Sequence, residues 1–291
     1  MTHPLIETLL AGVPVITDGG WGTQMQARGL PIGGCPDPWN LTHADLVQQV
    51  PSEYVDAGSQ IVLSNTFRAN RIALADYGLA DQAAEIARAG AEISRRAAGD
   101  RAHVFASIGP SGKMLMAGDI GTDDLLDAFG EQAEALAAGG ADGLVVETMA
   151  ELEEAVLAIR AAKATGLPVV GCMVFDSGAD LDRTMMGVTP EQAAQALTDA
   201  GADVVGANCG QGIAGYIQIC RRMRTATELP IWIKANAGLP EMVDGQVVYK
   251  TSAAEFASQA PALVAAGAQF IGGCCGTSPE FIRALCQELH G

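Results

Sequence analysis

Basic side chains are scarce in this chain: 17 Lys and Arg stand against 34 Asp and Glu, a formal charge of −17 over 291 residues. Such a surface lacks the electrostatic footprint that binds nucleic acid or anionic membranes, and neither is expected as a partner. Long apolar runs are missing too. No stretch approaches the roughly 18 residues of a membrane span, and the N-terminal MTHPLIETLLAG has neither the basic region nor the apolar core of a secretory signal. Seven cysteines make an odd count in a chain without secretory features. That speaks against a disulfide framework and for a reducing compartment, so the cytoplasm is the expected location. The histidines are four, His3, His43, His103 and His290, and none falls at the end of a predicted strand. Histidine-based acid–base catalysis therefore finds no support, and no dinucleotide or P-loop glycine motif stands in a strand–turn–helix setting.

Hydrophobic residues make up 49% of the chain, with 35 glycines, which fits a well-buried α/β protein. Short apolar runs alternate with helical stretches about eight times, with no Pro/Ser-rich linker between them. The runs are Val13–Gly20, Gln60–Phe67, Val104–Pro110, Gly143–Met149, Pro168–Phe175, Asp203–Gly210, Pro230–Gly238 and Gln269–Thr277. Several are nearly continuous in Val, Ile and Leu, as parallel strands buried on both faces should be. Helices are predicted over Asp81–Ala98, Thr122–Ala138, Ala150–Thr165, Thr189–Ala200 and Ser252–Ala266, and Thr189-Pro190 and Thr277-Ser278-Pro279 read as helix starts. Glycine recurs where a helix hands over to a strand (Gly58, Gly140, Gly201, Gly267), serving as a C-cap. The pattern predicts one domain over residues 1–291, a (β/α)8 TIM barrel, with a doubly wound open sheet as the alternative.

In such a barrel the polar tripeptides all fall at strand C-termini, the rim where (β/α)8 enzymes build their sites. Asn208-Cys209-Gly210 ends the sixth strand and Gly272-Gly273-Cys274-Cys275-Gly276-Thr277 the eighth. Adjacent cysteines bridge poorly to each other, but with Cys209 they offer three thiolates to one soft metal ion. That set suits Zn²⁺ and leaves a tetrahedral position open for a substrate thiol. Cys172, Cys220 and Cys286 read as small apolar side chains, and Cys35 as an incidental surface thiol. Glu147 puts a carboxylate at the mouth of an apolar strand, placed either to cap the next helix or to hold a substrate ammonium. Asp18, before Gly19 and Gly20, either nucleates a turn or sits among backbone N–H groups suited to a carboxylate.

Asp18-Gly19-Gly20-Trp21-Gly22-Thr23, Ser64-Asn65-Thr66-Phe67, Glu147-Thr148, Asn208-Cys209 and Gly272-Gly273-Cys274-Cys275-Gly276-Thr277 resemble, in order and spacing, the homocysteine S-methyltransferase family over essentially the whole chain. The resemblance implies zinc-dependent methyl transfer onto the sulfur of homocysteine, giving methionine. It implies Cys209, Cys274 and Cys275 as zinc ligands and Glu147 as the group that binds the ammonium. Backbone around Asp18, Gly19 and Gly20, with Thr66, would take the carboxylate end, and Ser64 and Asn65 would also belong to the substrate site.

Members of the family draw the methyl group from glycine betaine, from S-methylmethionine or, in methionine synthase, from cobalamin. Betaine enzymes resemble one another in a tyrosine where this chain has Thr148, and a quaternary ammonium calls for an aromatic cage. Here there are three Trp and four Tyr, of which Trp21 and Trp39 lie near a predicted rim loop. Asn236-Ala237-Gly238-Leu239-Pro240 and the hairpin-like 243–249 instead look like the homocysteine module of cobalamin-dependent methionine synthase, with Asn236 a temporary zinc ligand in the substrate pocket. Lys234-Ala235 departs from that module, which usually has an acidic residue and proline there. The expected donor is methylcobalamin on a partner corrinoid protein, with a methyltetrahydrofolate-binding protein supplying it. The alternatives are a betaine- or S-methylmethionine-dependent enzyme, or, from another class, a non-catalytic zinc-binding subunit of a methyltransfer complex. Intact Glu147 and Asp18 favour an enzyme.

Overall fold

The computed structural model describes residues 3–243 and 246–291. Eight parallel strands run in the order β1 (Val15–Ile16), β10 (Ala268–Gly273), β7 (Ile231–Asn236), β6 (Val204–Gly212), β5 (Val169–Met173), β4 (Gly143–Met149), β3 (His103–Ile108) and β2 (Ile61–Val62). A parallel bridge between Thr17 and Ile61, with Gln60 N–H donating to Ile16 O, brings β2 back to β1 and closes the (β/α)8 barrel. The two remaining strands, β8 (Glu241–Val243) and β9 (Gln246–Val248), follow β7 and pair antiparallel with each other. They match the expected hairpin, whose tip Asp244-Gly245 lies outside the described residues.

Strand residues bury both faces, as a parallel sheet wrapped in helices requires. Alternate residues point inward: Val15, Ile61, Phe105, Val145, Val170, Val204, Trp232 and Phe270 fill the barrel, where Trp232 stacks between Phe105 and Phe270. Ile6 and Leu9 of the helix Pro4–Leu10 plug its lower end. The other strand residues pack against the outer helices, among them Ala44–Asp56, Ala83–Ala98, Thr122–Ala138, Leu152–Lys163, Pro190–Asp199, Ile213–Arg224 and Pro279–His290. Among the described residues no helix is long and apolar enough to cross a membrane.

Two local expectations need correction. The stretch expected as one helix over Ser252–Ala266 is two, Ala253–Ser258 and Ala260–Ala265. Pro261 has no N–H to continue the ladder of the first and instead occupies the first turn of the second. At the last helix Ser278 is the N-cap residue but makes no side-chain cap. Thr277, read with it as a helix start, instead receives Gly20 N–H on Oγ1 and donates to Cys274 O. Thr189, by contrast, forms a full capping box with Gln192.

Candidate active site

The rim loops enclose a cavity of about 320 Å³ at the C-terminal end of the strands. A broader hollow of about 570 Å³ opens at the opposite end, but there Arg95 is already taken by Asp142 and by the carbonyls of Gly99 and Ala102. The rim cavity collects the expected residues Gly19, Gly20, Ser64, Asn65, Glu147, Cys209, Cys274 and Cys275, and adds Trp21, Leu63, Phe67, Ser107, Thr148 and Lys234.

Cys209 reaches it because β6 breaks its register between Asn208 and Gly212. Cys209 and Gly210 have φ of 62° and 64°, a left-handed pair that costs an L-residue free energy and persists only where the surroundings enforce it. Tyr216 supplies part of that enforcement, its hydroxyl donating to Cys209 O at 2.6 Å. Cys274 and Cys275 are clamped to the end of β7: Cys274 N–H donates to Ala235 O and Cys275 N–H to Asn236 Oδ1 at 3.1 Å. Gly272 and Gly273 let this turn approach β1. A Cβ on Gly272 would lie 2.0 Å from Thr17 Oγ1, and one on Gly273 2.3 Å from Thr277 Oγ1.

The three sulfurs lie within 4.8 Å of one another, with Cys209 and Cys275 3.9 Å apart. Four sulfurs around a tetrahedral zinc at 2.3 Å are spaced by about 3.8 Å, so the donor set fits that ion in both chemistry and spacing. As thiols they restrain one another. Their mutual hydrogen bonds come first, then burial and the neighbouring sulfurs, and the balance pushes Cys209 and Cys275 up to about 12. A dication among them reverses that balance, because it favours every thiolate.

Glu147 is buried at the cavity wall. Ser107 Oγ donates to its Oε1, and Asn208 Nδ2 donates to its Oε2 at 3.2 Å. Burial pushes its carboxyl up, and Lys234 and Ser107 pull against that shift. The same Asn208 amide receives Thr148 N–H, donates to Thr148 Oγ1 (both 2.7 Å), and faces Cys274 Sγ at 3.9 Å. Thr148 has a φ of 60° at the register break of β4, so one asparagine holds that distorted strand end and the carboxylate in place.

Three of the expected residues stand behind the cavity wall instead of lining it. Asp18 is wholly buried: Oδ2 receives Leu63 N–H and Trp21 Nε1–H, and Oδ1 the ammonium of Lys234. Thr66 Oγ1 donates to Ser107 O and pairs with Ser64 Oγ. Asn236 faces the Cys275 backbone. Trp39, expected near the rim, stacks on His43, and Cys35, expected as a surface thiol, is half-buried with its thiol on Asp37 Oδ2.

Sequence reasoning passed over Asn208, Ser107 and Lys234 as site residues. A signal existed for the last, since one charge inside the apolar strand Ile231-Trp232-Ile233-Lys234 has to find a partner when buried. Burial would push its ammonium down, but Asp18 and Glu147 outweigh that and hold it up.

Comparison with known proteins agrees with this geometry. The model of the family described as homocysteine S-methyltransferase matches residues 15–289. Proteins named methionine synthase from Mycobacterium leprae and Mycobacterium tuberculosis are each 30% identical over 98% and 94% of this chain. The matches cover 25% and 24% of their length, so the chain spans about a quarter of those relatives. Betaine–homocysteine S-methyltransferase 1 of Rattus norvegicus is 29% identical over 98% of this chain and 74% of its own. The solved homocysteine methyltransferase MmuM from Escherichia coli, in its metallated form, superposes with a TM-score of 0.81 at 22% identity. That likeness covers 97% of this chain and 99% of the other, and shows the shared fold. With the family's model matched from the first barrel strand to the last helix, the chain belongs to the homocysteine S-methyltransferase family, enzymes that transfer a methyl group to the thiol of homocysteine.

Proposed function

We propose that the barrel binds homocysteine with its sulfur at Cys209, Cys274 and Cys275 and its ammonium at Glu147, and methylates that sulfur from methylcobalamin carried by a partner corrinoid protein. The observation that carries the acceptor half is the meeting, in one cavity, of three thiols within 4.8 Å and a buried carboxylate. The three cysteines would hold zinc, which when bound favours the thiolate form of a coordinated sulfur by its charge. The rest is the work of the chain's own side chains. Glu147, fixed by Ser107 and Asn208, presents its carboxylate to the ammonium and so sets the reach of the substrate. Trp21, Leu63 and Phe67 supply apolar wall that keeps water from the attacking sulfur. The sulfur–carbon bond forms as the methyl–donor bond breaks, the electron pair leaving with the donor and the thiol proton going to solvent.

Two features support a large donor over a small quaternary ammonium. Among the described residues the aromatic side chains lining the cavity are Trp21 and Phe67, and Thr148 lines it where betaine enzymes carry tyrosine. Ile32, Met116, Met185 and Leu239 stand exposed on the loops after β1, β3, β5 and β7, and Met242 on β8, apolar side chains at the rim end that a docking protein would cover. A cytoplasmic corrinoid protein, reloaded by a methyltetrahydrofolate-binding protein, fits that rim.

Purified protein with homocysteine is to be offered methylcobalamin, methyltetrahydrofolate, betaine and S-methylmethionine in turn. Methionine is expected fastest from methylcobalamin. Rates from betaine or S-methylmethionine far above it would overturn the donor and leave the acceptor standing. No methionine from any donor, with zinc bound, would favour a non-catalytic subunit.

A further inference from the structure

Among the described residues Lys234 is the one basic side chain lining the cavity. An ammonium has three N–H donors, and among the described residues its hydrogen-bond partner is Asp18 Oδ1 alone. Asp18 needs no more from it, having Leu63 N–H and Trp21 Nε1–H on its other oxygen. Lys234 is 2% exposed, so its spare donors are shut off from bulk water yet lie at the cavity wall. Buried donors of a charged group left without acceptors are costly, and an anionic ligand group relieves that cost.

The charges agree. Glu147 at the cavity wall and Asp18 behind it, against Lys234, leave one net negative charge beside the cavity, which welcomes an ammonium but repels a carboxylate unless the cation meets it. Two groups expected at the carboxylate end are engaged elsewhere: Gly20 N–H donates to Thr277 Oγ1, and Thr66 Oγ1 to Ser107 O.

We propose that Lys234 Nζ binds the α-carboxylate of the acceptor, so that Glu147 and Lys234 together grip the zwitterionic end of homocysteine. This rests on the acceptor assignment above and makes Lys234 a specificity residue for an amino acid over a simple aminothiol.

The test is calorimetric binding to the zinc-loaded protein of two ligands, homocysteine and 3-aminopropane-1-thiol, which is homocysteine without its carboxylate. The unsubstituted chain should prefer homocysteine by about 10- to 100-fold, the worth of one charge-assisted hydrogen bond. Lys234→Met should erase that preference by weakening homocysteine while leaving the aminothiol within about twofold. Because that change strands the Asp18 carboxylate, Asp18→Asn/Lys234→Met is measured beside it, with the same pattern expected. Equal weakening of both ligands, or unchanged homocysteine binding, would overturn the inference. An unsubstituted chain that binds both thiols equally would overturn it and leave the thiol site standing. One that binds neither would overturn the acceptor assignment itself.

Discussion

Replacing Asn208 with alanine tests whether one amide organises the site. Its side chain is wholly buried and makes three hydrogen bonds: it receives Thr148 N–H and donates to Thr148 Oγ1 and Glu147 Oε2. The Thr148 hydroxyl, half-buried at the cavity, can turn to water. Its N–H cannot move, since the backbone is fixed at a φ of 60°. One orphaned N–H costs about 1–3 kcal/mol, and the weakened hold on Glu147 adds about 1. The loss should therefore be about 2–4 kcal/mol. A chain of 291 residues has an unfolding entropy near 0.6 kcal/mol/K, so the midpoint should fall by about 5 °C. Scanning calorimetry on chelator-treated protein isolates this loss from metal binding. Zinc titrated back should still bind one equivalent, because the three cysteines are untouched. A fall under about 1 °C would refute the keystone role, and loss of zinc at unchanged stability would place Asn208 among the ligands.

Single Cys209→Ala, Cys274→Ala and Cys275→Ala variants should each lose most of their zinc by elemental analysis, while Cys172→Ala and Cys286→Ala keep it; retention in all of the first three would refute the metal assignment. Glu147→Gln should weaken homocysteine binding by about 10-fold or more at unchanged zinc content, checked by calorimetry. Asp37 is wholly buried, and that burial raises its carboxyl from 3.8 to about 6 despite the Arg68 N–H and Cys35 thiol it accepts. The folded chain then holds a proton that the unfolded chain has released, so this carboxyl's contribution to stability is present below pH 4 and is lost as pH rises through 6. Asp37→Asn does not titrate and should gain on the parent by up to about 3 kcal/mol between pH 4 and 7 in urea denaturation, whereas a gap independent of pH would refute it.

The barrel was legible because its strands obey a local rule. Runs such as Leu144-Val145-Val146 and Val204-Val205 are apolar on both faces, and glycine C-caps mark where each begins. The thiols were legible for a related reason, glycine-flanked cysteines at strand ends having no packing purpose. The internal partnerships were not. Lys234 meets Asp18 across 216 positions and Asn208 meets Thr148 across 60. Both depend on which strand residues turn inward at the top of the barrel. Lys234 and Asn208 share the inward parity of Trp232 and Val204, but the partners they meet there lie far off in sequence, and the register breaks at Thr148 and between Asn208 and Gly212 have no local signature. Asp18 shows the consequence: its place at a strand end suggested a group facing ligand, while register sends its carboxylate inward to the lysine.

The strand ends also bring the three thiols together. Each cysteine is positioned by its backbone: Cys209 by the left-handed turn under Tyr216, Cys274 by Ala235 O, Cys275 by Asn236 Oδ1. None of these backbone anchors uses a sulfur. The entropy of collecting the donors is thus borne by the fold as a whole. Donors fixed in this way lower the loop-closure cost of holding an ion at these three cysteines. The backbone anchors hold the three sulfurs in the same cavity as Glu147 and Lys234.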